Sequence, residues 1–219
     1  MIWLDDDEIW FPPQHMTNEA GVIAVGGDLS VDRLTFAYQL GIFPWYNDVD
    51  GPIIWWCPNP RFVLFPDELR VSKSMRPYFN QQKFEVTYNQ HFSEVMRACM
   101  NIKREGMETS WINKKMISAY AALNKIGRAL SIEVWKGKKL VGGLYGVRLG
   151  KVFFGESMFA KESNASKFGF ITLVRKLKKE GVVLIDCQQE TRHLASMGGR
   201  NIPRIDFLKY LDKHVPKKL

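Results

Sequence analysis

The order of strand and helix signals in the second half of the chain is the feature that most restricts its fold. Segments typical of β-strands at 130–135, 140–148 and 151–159 follow one another across two tight turns, which predicts an antiparallel three-stranded meander. A helix is then predicted over 165–180, ended by a glycine. The apolar run at 182–185 predicts a fully buried strand. This half of the chain therefore predicts a mixed α/β domain.

The remaining signals complete a prediction of two domains. Residues 1–62 predict a small, irregular N-terminal domain with one helix near 31–40, because the stretch 41–60 is too rich in proline for regular structure. Residues 63–219 predict an acetyltransferase-like (GNAT-like) α/β domain with a mixed, mostly antiparallel sheet, from the order of its elements alone. Its other predicted elements are strands at 62–65 and 84–88 and helices at 72–80, 91–101, 114–126, 191–196 and from Pro203 onward.

Charge is distributed unevenly along the chain. Residues 1–50 carry nine acidic residues and one basic residue, a net charge of −8, whereas residues 51–219 carry 30 Lys and Arg against 14 Asp and Glu, a net charge of +16. So basic a surface attracts phosphate backbones without specifying a nucleotide sequence. The alternative is that the lysine-rich helices only keep the protein in solution.

Composition argues against several classes of protein. With 46% hydrophobic and 25% charged residues, the chain has the composition of an ordinary globular protein. No apolar run approaches the roughly 20 residues needed to cross a bilayer, and the acidic residues after Leu4 are unlike a secretory signal, so we expect a cytoplasmic protein. The three cysteines are scattered and no histidine has metal-ligand spacing, so neither a disulfide framework nor a metal site is predicted.

Polar side chains at strand ends are the first candidates for catalysis. Asp186 and Gln188 directly follow the buried run at 182–185, and a period of two places their side chains on one side of the strand. Glu156 shares a face of the preceding strand with apolar side chains. Two carboxylates and an amide beside an apolar wall resemble an active site. The alternative is structural, with Asp186 capping the next helix and Glu156 paired with a lysine.

Tryptophans form a second group of candidates. Four of them lie outside clear amphipathic patterns, in predicted loops or beside helix starts, and these are Trp45, Trp55, Trp56 and Trp111. Flat rings in such positions can stack on unpaired bases of a single-stranded RNA end. A core position is the alternative for each of them.

Other motifs are weaker. The run GGLYG at 142–146 has no lysine of the Walker type after it and falls within a predicted strand, so a β-bulge is the better interpretation. Ser157 and Cys187 have no evident histidine base. We therefore expect direct attack of an amine on an activated ester if this protein transfers an acyl group.

Taken together, ten sequence blocks resemble one family, the leucyl/phenylalanyl-tRNA protein transferases. The blocks are collinear with the family and cover nearly the whole chain. In chain order they are GGDLS at 26–30, GIFPWY at 41–46, IWWCPNPR at 54–61, FP at 65–66, SIEVW at 131–135, VGGLYG at 141–146, FGESMF at 154–159, NASK at 164–167, LIDCQ at 184–188 and IPR at 202–204. One departure precedes Trp111, where the family's Gly-Thr-Trp-Ile-Thr is replaced by GMETSWIN at 106–113.

The resemblance implies an enzyme of the bacterial N-degron pathway. Such an enzyme moves leucine, phenylalanine or, less efficiently, methionine from its tRNA to proteins that begin with arginine or lysine, and so marks them for degradation. The implied partners are leucyl-, phenylalanyl- and methionyl-tRNA and proteins with N-terminal Arg or Lys, with no metal, coenzyme or membrane. The family's fold is also acetyltransferase-like.

The resemblance also implies roles for individual residues. Asp186, Gln188 and Glu156 match the positions linked to catalysis, and Trp45 and Trp111 match those associated with the terminal adenosine of tRNA. On chemical grounds we assign Asp186 to polarise Gln188, Gln188 to contact the attacking amine, and Glu156 to bind the positive end of the acceptor. Whether Gln188 or a hydroxyl of the tRNA moves the proton stays open.

An apolar pocket should hold the transferred side chain, and Leu144, Met158 and Ile185 are its predicted lining. Such a pocket separates side chains by only about 1–3 kcal/mol per methylene, so several apolar residues can enter. The alternatives are three other functions: an acyl-coenzyme A dependent N-acetyltransferase, a non-catalytic tRNA-binding protein, and a transferase that branches peptidoglycan. The first is disfavoured because no Gly-x-Gly occurs in the chain to hold a pyrophosphate.

Overall fold

The computed structural model describes residues 1–46, 51–102 and 110–217. Two β-sheets, of four and seven strands, organise this part of the chain. The segment 103–109, which contains the first half of the departure at 106–113, lies outside the described residues. Within them, no helix is both long and apolar enough to span a bilayer.

The smaller sheet belongs to the N-terminal part of the chain. Its strands are β1 (Trp3–Leu4), β2 (Val22–Gly26), β3 (Phe43–Trp45) and β4 (Ile54–Trp56), in the order β1-β2-β4-β3. Helix α1 (Val31–Gln39) connects β2 to β3, and its first turn is capped by Ser30, whose hydroxyl accepts the Arg33 N–H at 3.2 Å. The prediction that 41–60 lacks regular structure is wrong. Pro44 is compatible with β3 because β3 is an edge strand, where a missing N–H breaks no ladder bond.

The larger sheet is mixed and mostly antiparallel, as predicted. Its strands, β5 (Arg61–Leu64), β6 (Glu85–Tyr88), β7 (Ala129–Lys136), β8 (Lys139–Leu149), β9 (Val152–Ala160), β10 (Leu184–Gln188) and β11 (Arg200–Ile202), lie in the order β11-β5-β10-β9-β8-β7-β6. All neighbouring pairs are antiparallel except β9 and β10. The predicted boundary after residue 62 falls inside β5, so the chain passes from the smaller sheet to the larger one between Trp56 and Arg61.

Helices cover both faces of the larger sheet. They are α2 (Arg76–Asn80), α3 (Phe92–Asn101), α4 (Lys114–Lys125), α5 (Ala165–Lys179), α6 (Arg192–Ser196) and α7 (Arg204–His214), with short 3-10 turns at Gln14–Met16, Pro66–Glu68 and Lys73–Met75. Helix α5 joins the parallel strands β9 and β10 and packs on one face. The smaller sheet with α1, α3, α4 and α7 packs on the other face.

Adjacent residues on the central strands point into these two cores. Phe153 lies in the cluster under α5, whereas Phe154 lies in the cluster shared with the smaller sheet, where its ring is 5.0 Å from that of Tyr38 on α1. Leu184 and Ile185 divide in the same way on β10. The period of two along these strands therefore fixes which side chains meet the N-terminal part of the chain.

β10 extends further than predicted. The apolar run predicted a strand at 182–185, but pairing with β5 continues through Asp186 and Gln188. The register shifts between these two residues, and Gln188 has a positive φ of 64°. The strand continues because the polar side chain of Asp186 has a buried partner on β5, described below.

Gly41 allows α7 to pack closely against the end of α1. It has a φ of +73°, and a Cβ at this position would lie 2.8 Å from Phe207 of α7. Because Phe207 is fully buried, its ring has no space into which it could move away from an added Cβ. Gly127 has a similar φ of +75° but nothing within 4 Å of its virtual Cβ.

We expect Gly41→Ala to lower the free energy of unfolding by about 1–3 kcal/mol more than Gly127→Ala does. Both substitutions impose left-handed backbone strain, but only the first adds overpacking. Urea denaturation of the two variants measures the difference. Equal losses in the two variants would show that α7 adjusts at no cost.

Candidate active site

A cavity of about 300 Å³ opens where β9 and β10 cease to pair. Their parallel ladder runs from Val152 and Leu184 to Phe154 and Asp186, and the residues that follow on both strands line the cavity. A β-bulge was predicted for the glycine-rich run, and the register between β8 and β9 does shift at Tyr145 and Gly146, but the extra residue is Glu156 on β9. The volume is within the range of small-molecule sites, which begins at about 300 Å³.

A buried ion pair lies behind the cavity. Arg61, the first residue of β5, donates from Nε and Nη2 to the two carboxylate oxygens of Asp186 at 2.8 and 2.6 Å. Both side chains are almost completely excluded from solvent, at 1% and 0% exposure. The guanidinium also lies over the rings of Phe43 and Phe207, 4.8 and 4.6 Å from their centroids. Asp186 is therefore a buried partner of Arg61 and does not itself line the cavity.

Gln188 connects the ion pair to the cavity. Its backbone N–H donates to Asp186 Oδ1 at 2.9 Å, and its side-chain Nε2 donates to Glu156 Oε1 at 3.1 Å. The structure thus brings the three predicted residues together. The contact of Asp186 is with the main chain of Gln188, however, rather than with the amide that it was predicted to polarise.

Glu156 lies at the centre of a hydrogen-bond network contributed by four elements. Tyr38 of α1 donates to Oε1 at 2.7 Å and Tyr120 of α4 donates to Oε2 at 3.1 Å, and the two hydroxyls are 2.5 Å apart. Burial raises the pKa of Glu156 to about 7, although the hydrogen bonds from both tyrosines and from Gln188 oppose the rise. Burial and the nearby Glu156 also raise the pKa of both tyrosines, which keeps them protonated as donors.

Neither structural alternative for the carboxylates holds among the described residues. Asp186 pairs with Arg61 instead of capping a helix, and the partners of Glu156 are hydroxyls and an amide rather than a lysine. Sequence reasoning missed Arg61, Tyr38 and Tyr120. Both tyrosines lie on helices whose patterns give no sign that a buried polar group faces the sheet.

The rim of the cavity is aromatic. Trp45 and Trp111 both line it, and their rings meet edge to face with centroids 5.8 Å apart. Trp56 packs on the other side of Trp45 at 6.0 Å. Trp55 is different because it is fully buried and donates its indole N–H to the Gly26 carbonyl at 2.8 Å. For Trp55 the alternative, a core position, therefore holds.

The inner wall of the cavity is apolar. Leu144 and Met158 line it as predicted, and Phe170 of α5 and Leu194 of α6 complete it. Ile185 does not line it, because this residue is fully buried deeper in the same apolar cluster beneath α5. Phe170 and Leu194 were missed because, in sequence, each is one apolar position on a helix and nothing separates it from a core residue.

Cys187 also reaches the cavity, but its surroundings oppose reactivity. Burial and then the charge of Asp186 raise the pKa of the thiol well above its ordinary value. A thiol held protonated is a poor nucleophile. Among the described residues, no group of three or more His, Cys, Asp or Glu side chains is placed to hold a metal ion.

Two family profiles match the chain. The profile of the leucyl/phenylalanyl-tRNA protein transferases matches residues 63–212, and that of the N-terminal domain of the same family matches residues 27–59. This chain belongs to that family. It is accordingly an enzyme, an aminoacyl-tRNA protein transferase.

Curated relatives of this transferase agree over nearly its full length. It is 58% identical to the leucyl/phenylalanyl-tRNA protein transferase of Christiangramia forsetii, over 92% of this chain and 95% of the relative. It is 52% identical to that of Nitrosospira multiformis, over 97% and 91%. Among solved structures it is similar, at 8% identity and a TM-score of 0.41, to a GCN5-related N-acetyltransferase from Kribbella flavida, over 81% of this chain and 63% of that chain.

The site of this transferase can act through one ionisable group and one amide. At pH 7 a carboxyl of pKa about 7 exists in both protonation states, so Glu156 can take up or release a proton. The NH₂ of Gln188 is engaged by Glu156, which leaves its amide oxygen as an acceptor for an incoming N–H.

The raised pKa of Glu156 makes stability depend on pH. The folded protein keeps this proton between about pH 4.5 and 7, where an unfolded chain has lost it. The stabilisation of the folded state by this proton is complete below about pH 4.5 and is lost as the pH rises through about 7. Between about pH 5 and 8 we expect the free energy of unfolding of the wild type to fall by about 1–3 kcal/mol relative to Glu156→Gln.

Urea denaturation across this pH range measures the effect. The control is Glu68→Gln, since a hydrogen bond from Arg200 lowers the pKa of the exposed Glu68 carboxyl and its contribution is lost only in acid. Parallel stability curves for the wild type and Glu156→Gln would contradict a pKa near neutrality.

Proposed function

We propose that this enzyme transfers leucine, phenylalanine and, less efficiently, methionine from aminoacyl-tRNA to the N-terminal arginine or lysine of acceptor proteins, which creates an N-degron for proteolysis. The observation that carries the proposal is a single cavity with an aromatic rim, an apolar inner wall, and Glu156 and Gln188 between them. The family assignment supports the reaction type, and the geometry supports separate roles for the aromatic rim, the apolar wall and the two polar residues.

The donor is expected to enter with its apolar side chain first. Leu144, Met158, Phe170 and Leu194 provide a wall without charge, on which leucine, phenylalanine and methionine side chains gain by leaving water. The polar ester then lies near Gln188, and the terminal adenosine lies against Trp45 and Trp111 at the rim. The net charge of +16 over residues 51–219 supports binding of the tRNA backbone.

The acceptor must present an uncharged α-amine to the ester. An α-ammonium has a pKa of about 7.7–8.0, close to that of Glu156, so the carboxylate can take its proton at little cost. The Gln188 amide oxygen then accepts a hydrogen bond from the amine and directs the nitrogen lone pair at the ester carbon. In its ionised form Glu156 also attracts the positive side chain of arginine or lysine.

The bond changes balance without a cofactor. The amine nitrogen attacks the ester carbonyl, a tetrahedral oxyanion forms, and the bond between the carbonyl carbon and the ribose oxygen breaks. The nitrogen loses a second proton as the amide forms, and the ribose oxygen leaves with a proton. Because the ester is already activated, placing amine and ester together supplies most of the acceleration required.

We expect the purified enzyme to label peptides that begin with arginine or lysine, and not alanine, when it is given radiolabelled leucyl-tRNA. Pretreatment with ribonuclease should abolish the labelling. Gln188→Ala should lower kcat by about 10²-fold, since the amine loses its orientation. Labelling of the alanine peptide would refute the acceptor assignment. Labelling of a cell-wall precursor instead would favour the peptidoglycan-branching reaction, and labelling from an acyl-coenzyme A would favour an N-acetyltransferase.

We expect Trp45→Ala and Trp111→Ala to raise the KM for charged tRNA by about 5- to 100-fold, the equivalent of losing one stacked base. Trp135→Ala is the matched control, because Trp135 lies on β7 and packs against His91 outside the cavity. Steady-state kinetics with leucyl-tRNA gives both constants. An equal rise in KM for Trp135→Ala would show a general loss of structure instead of a lost contact with adenosine.

A further inference from the structure

We infer that Arg61 is a positioning residue of the transfer reaction, which acts through Asp186 to hold the backbone of Gln188. The inference rests on the proposed function, because Gln188 is taken to orient the attacking amine. Arg61 does not line the cavity, so its effect has to pass through other groups.

The first step concerns the conformation of Gln188. This residue has a φ of 64°, a left-handed conformation that costs an L-residue roughly 1–2 kcal/mol. Its N–H donates to Asp186 Oδ1 at 2.9 Å, and this bond opposes a return to regular strand geometry. The left-handed turn at Gln188 occurs just after the register shift of β10 and carries the side chain to Glu156.

The second step concerns the orientation of the Asp186 carboxylate. Its two oxygens receive Nε and Nη2 of Arg61 in parallel, which fixes both the position and the rotation of the carboxylate. Oδ1 therefore meets two donors, Arg61 and the Gln188 N–H. A lysine would supply the same charge without the planar fork and would leave the carboxylate free to turn.

The third step concerns what fixes Arg61 itself. Its guanidinium lies over the rings of both Phe43 on β3 and Phe207 on α7. Phe43 also lines the cavity, so the ring that confines the guanidinium is part of the wall that meets the substrate. Arg61 thus links the positions of β3 and α7 to that of Gln188, the residue proposed to contact the amine.

The test is Arg61→Lys, with Arg33→Lys as the matched control. Arg33 is also fully buried and contacts an aspartate, Asp28, at 3.5 Å, but it lies in the N-terminal part of the chain and does not line the cavity. We expect Arg61→Lys to lower kcat for peptide transfer by about tenfold or more while the KM for leucyl-tRNA changes by less than about twofold. Arg33→Lys should leave kcat unchanged at any temperature where it is folded.

A second variant guards against misfolding. Arg61→Met/Asp186→Asn removes both buried charges together, so that neither is left unpaired, and Arg33→Met/Asp28→Asn is its counterpart. We expect the first to lower kcat by about 10²-fold, again with little change in the KM for leucyl-tRNA, and the second to retain kcat.

The outcomes are distinct. A wild-type kcat in folded Arg61→Lys and Arg61→Met/Asp186→Asn would overturn the inference, and so would equal losses of kcat in the Arg33 variants. Failure of the wild type to select arginine and lysine peptides would instead overturn the proposed function. Amide hydrogen exchange that is faster at Gln188 but not at Leu184 in Arg61→Lys would support the inference, and unchanged exchange at Gln188 would oppose it.

Discussion

The buried pair of Arg61 and Asp186 is the interaction on which the rest of the site depends. Removing two charges from water is costly, and the cost is offset here by two parallel hydrogen bonds and two aromatic faces. Arg61 is also the first residue of the larger sheet that the chain reaches after it leaves the smaller one. The pair therefore joins the smaller sheet, the larger sheet and the last helix at one point, directly behind the cavity.

Glu156 depends on this arrangement for its chemistry. A carboxyl with a pKa near neutrality has to be withdrawn from solvent yet held by donors, and the donors come from α1, α4 and β10 rather than from its own strand. The nearby charge of Asp186 adds to the rise in pKa. Asp186 is paired with Arg61, so the charge of this ion pair influences the pKa of Glu156.

Much of the larger sheet follows from local sequence. The meander, the long helix α5 and the buried strand β10 were predictable because each has a strong period and clear turn or cap residues. β3 and β4 were not, since short strands flanked by prolines form only when a partner is present. Glu156 and Gln188 were identified as polar residues on apolar strands. Tyr38, Tyr120 and Arg61 were missed because their roles arise from contacts 36 to 125 residues away along the chain.

The aromatic rim of the cavity and its two polar residues have different structural origins. Trp45 comes from the smaller sheet and Trp111 from the residues just before α4, whereas Glu156 and Gln188 belong to the central strands of the larger sheet. In the proposed reaction, nucleotide contact and proton transfer are thus assigned to separate elements. Under the proposed function, substitutions at the rim would alter which RNA end is accepted while leaving the reacting groups in place, which makes the rim the natural starting point for engineering an altered donor.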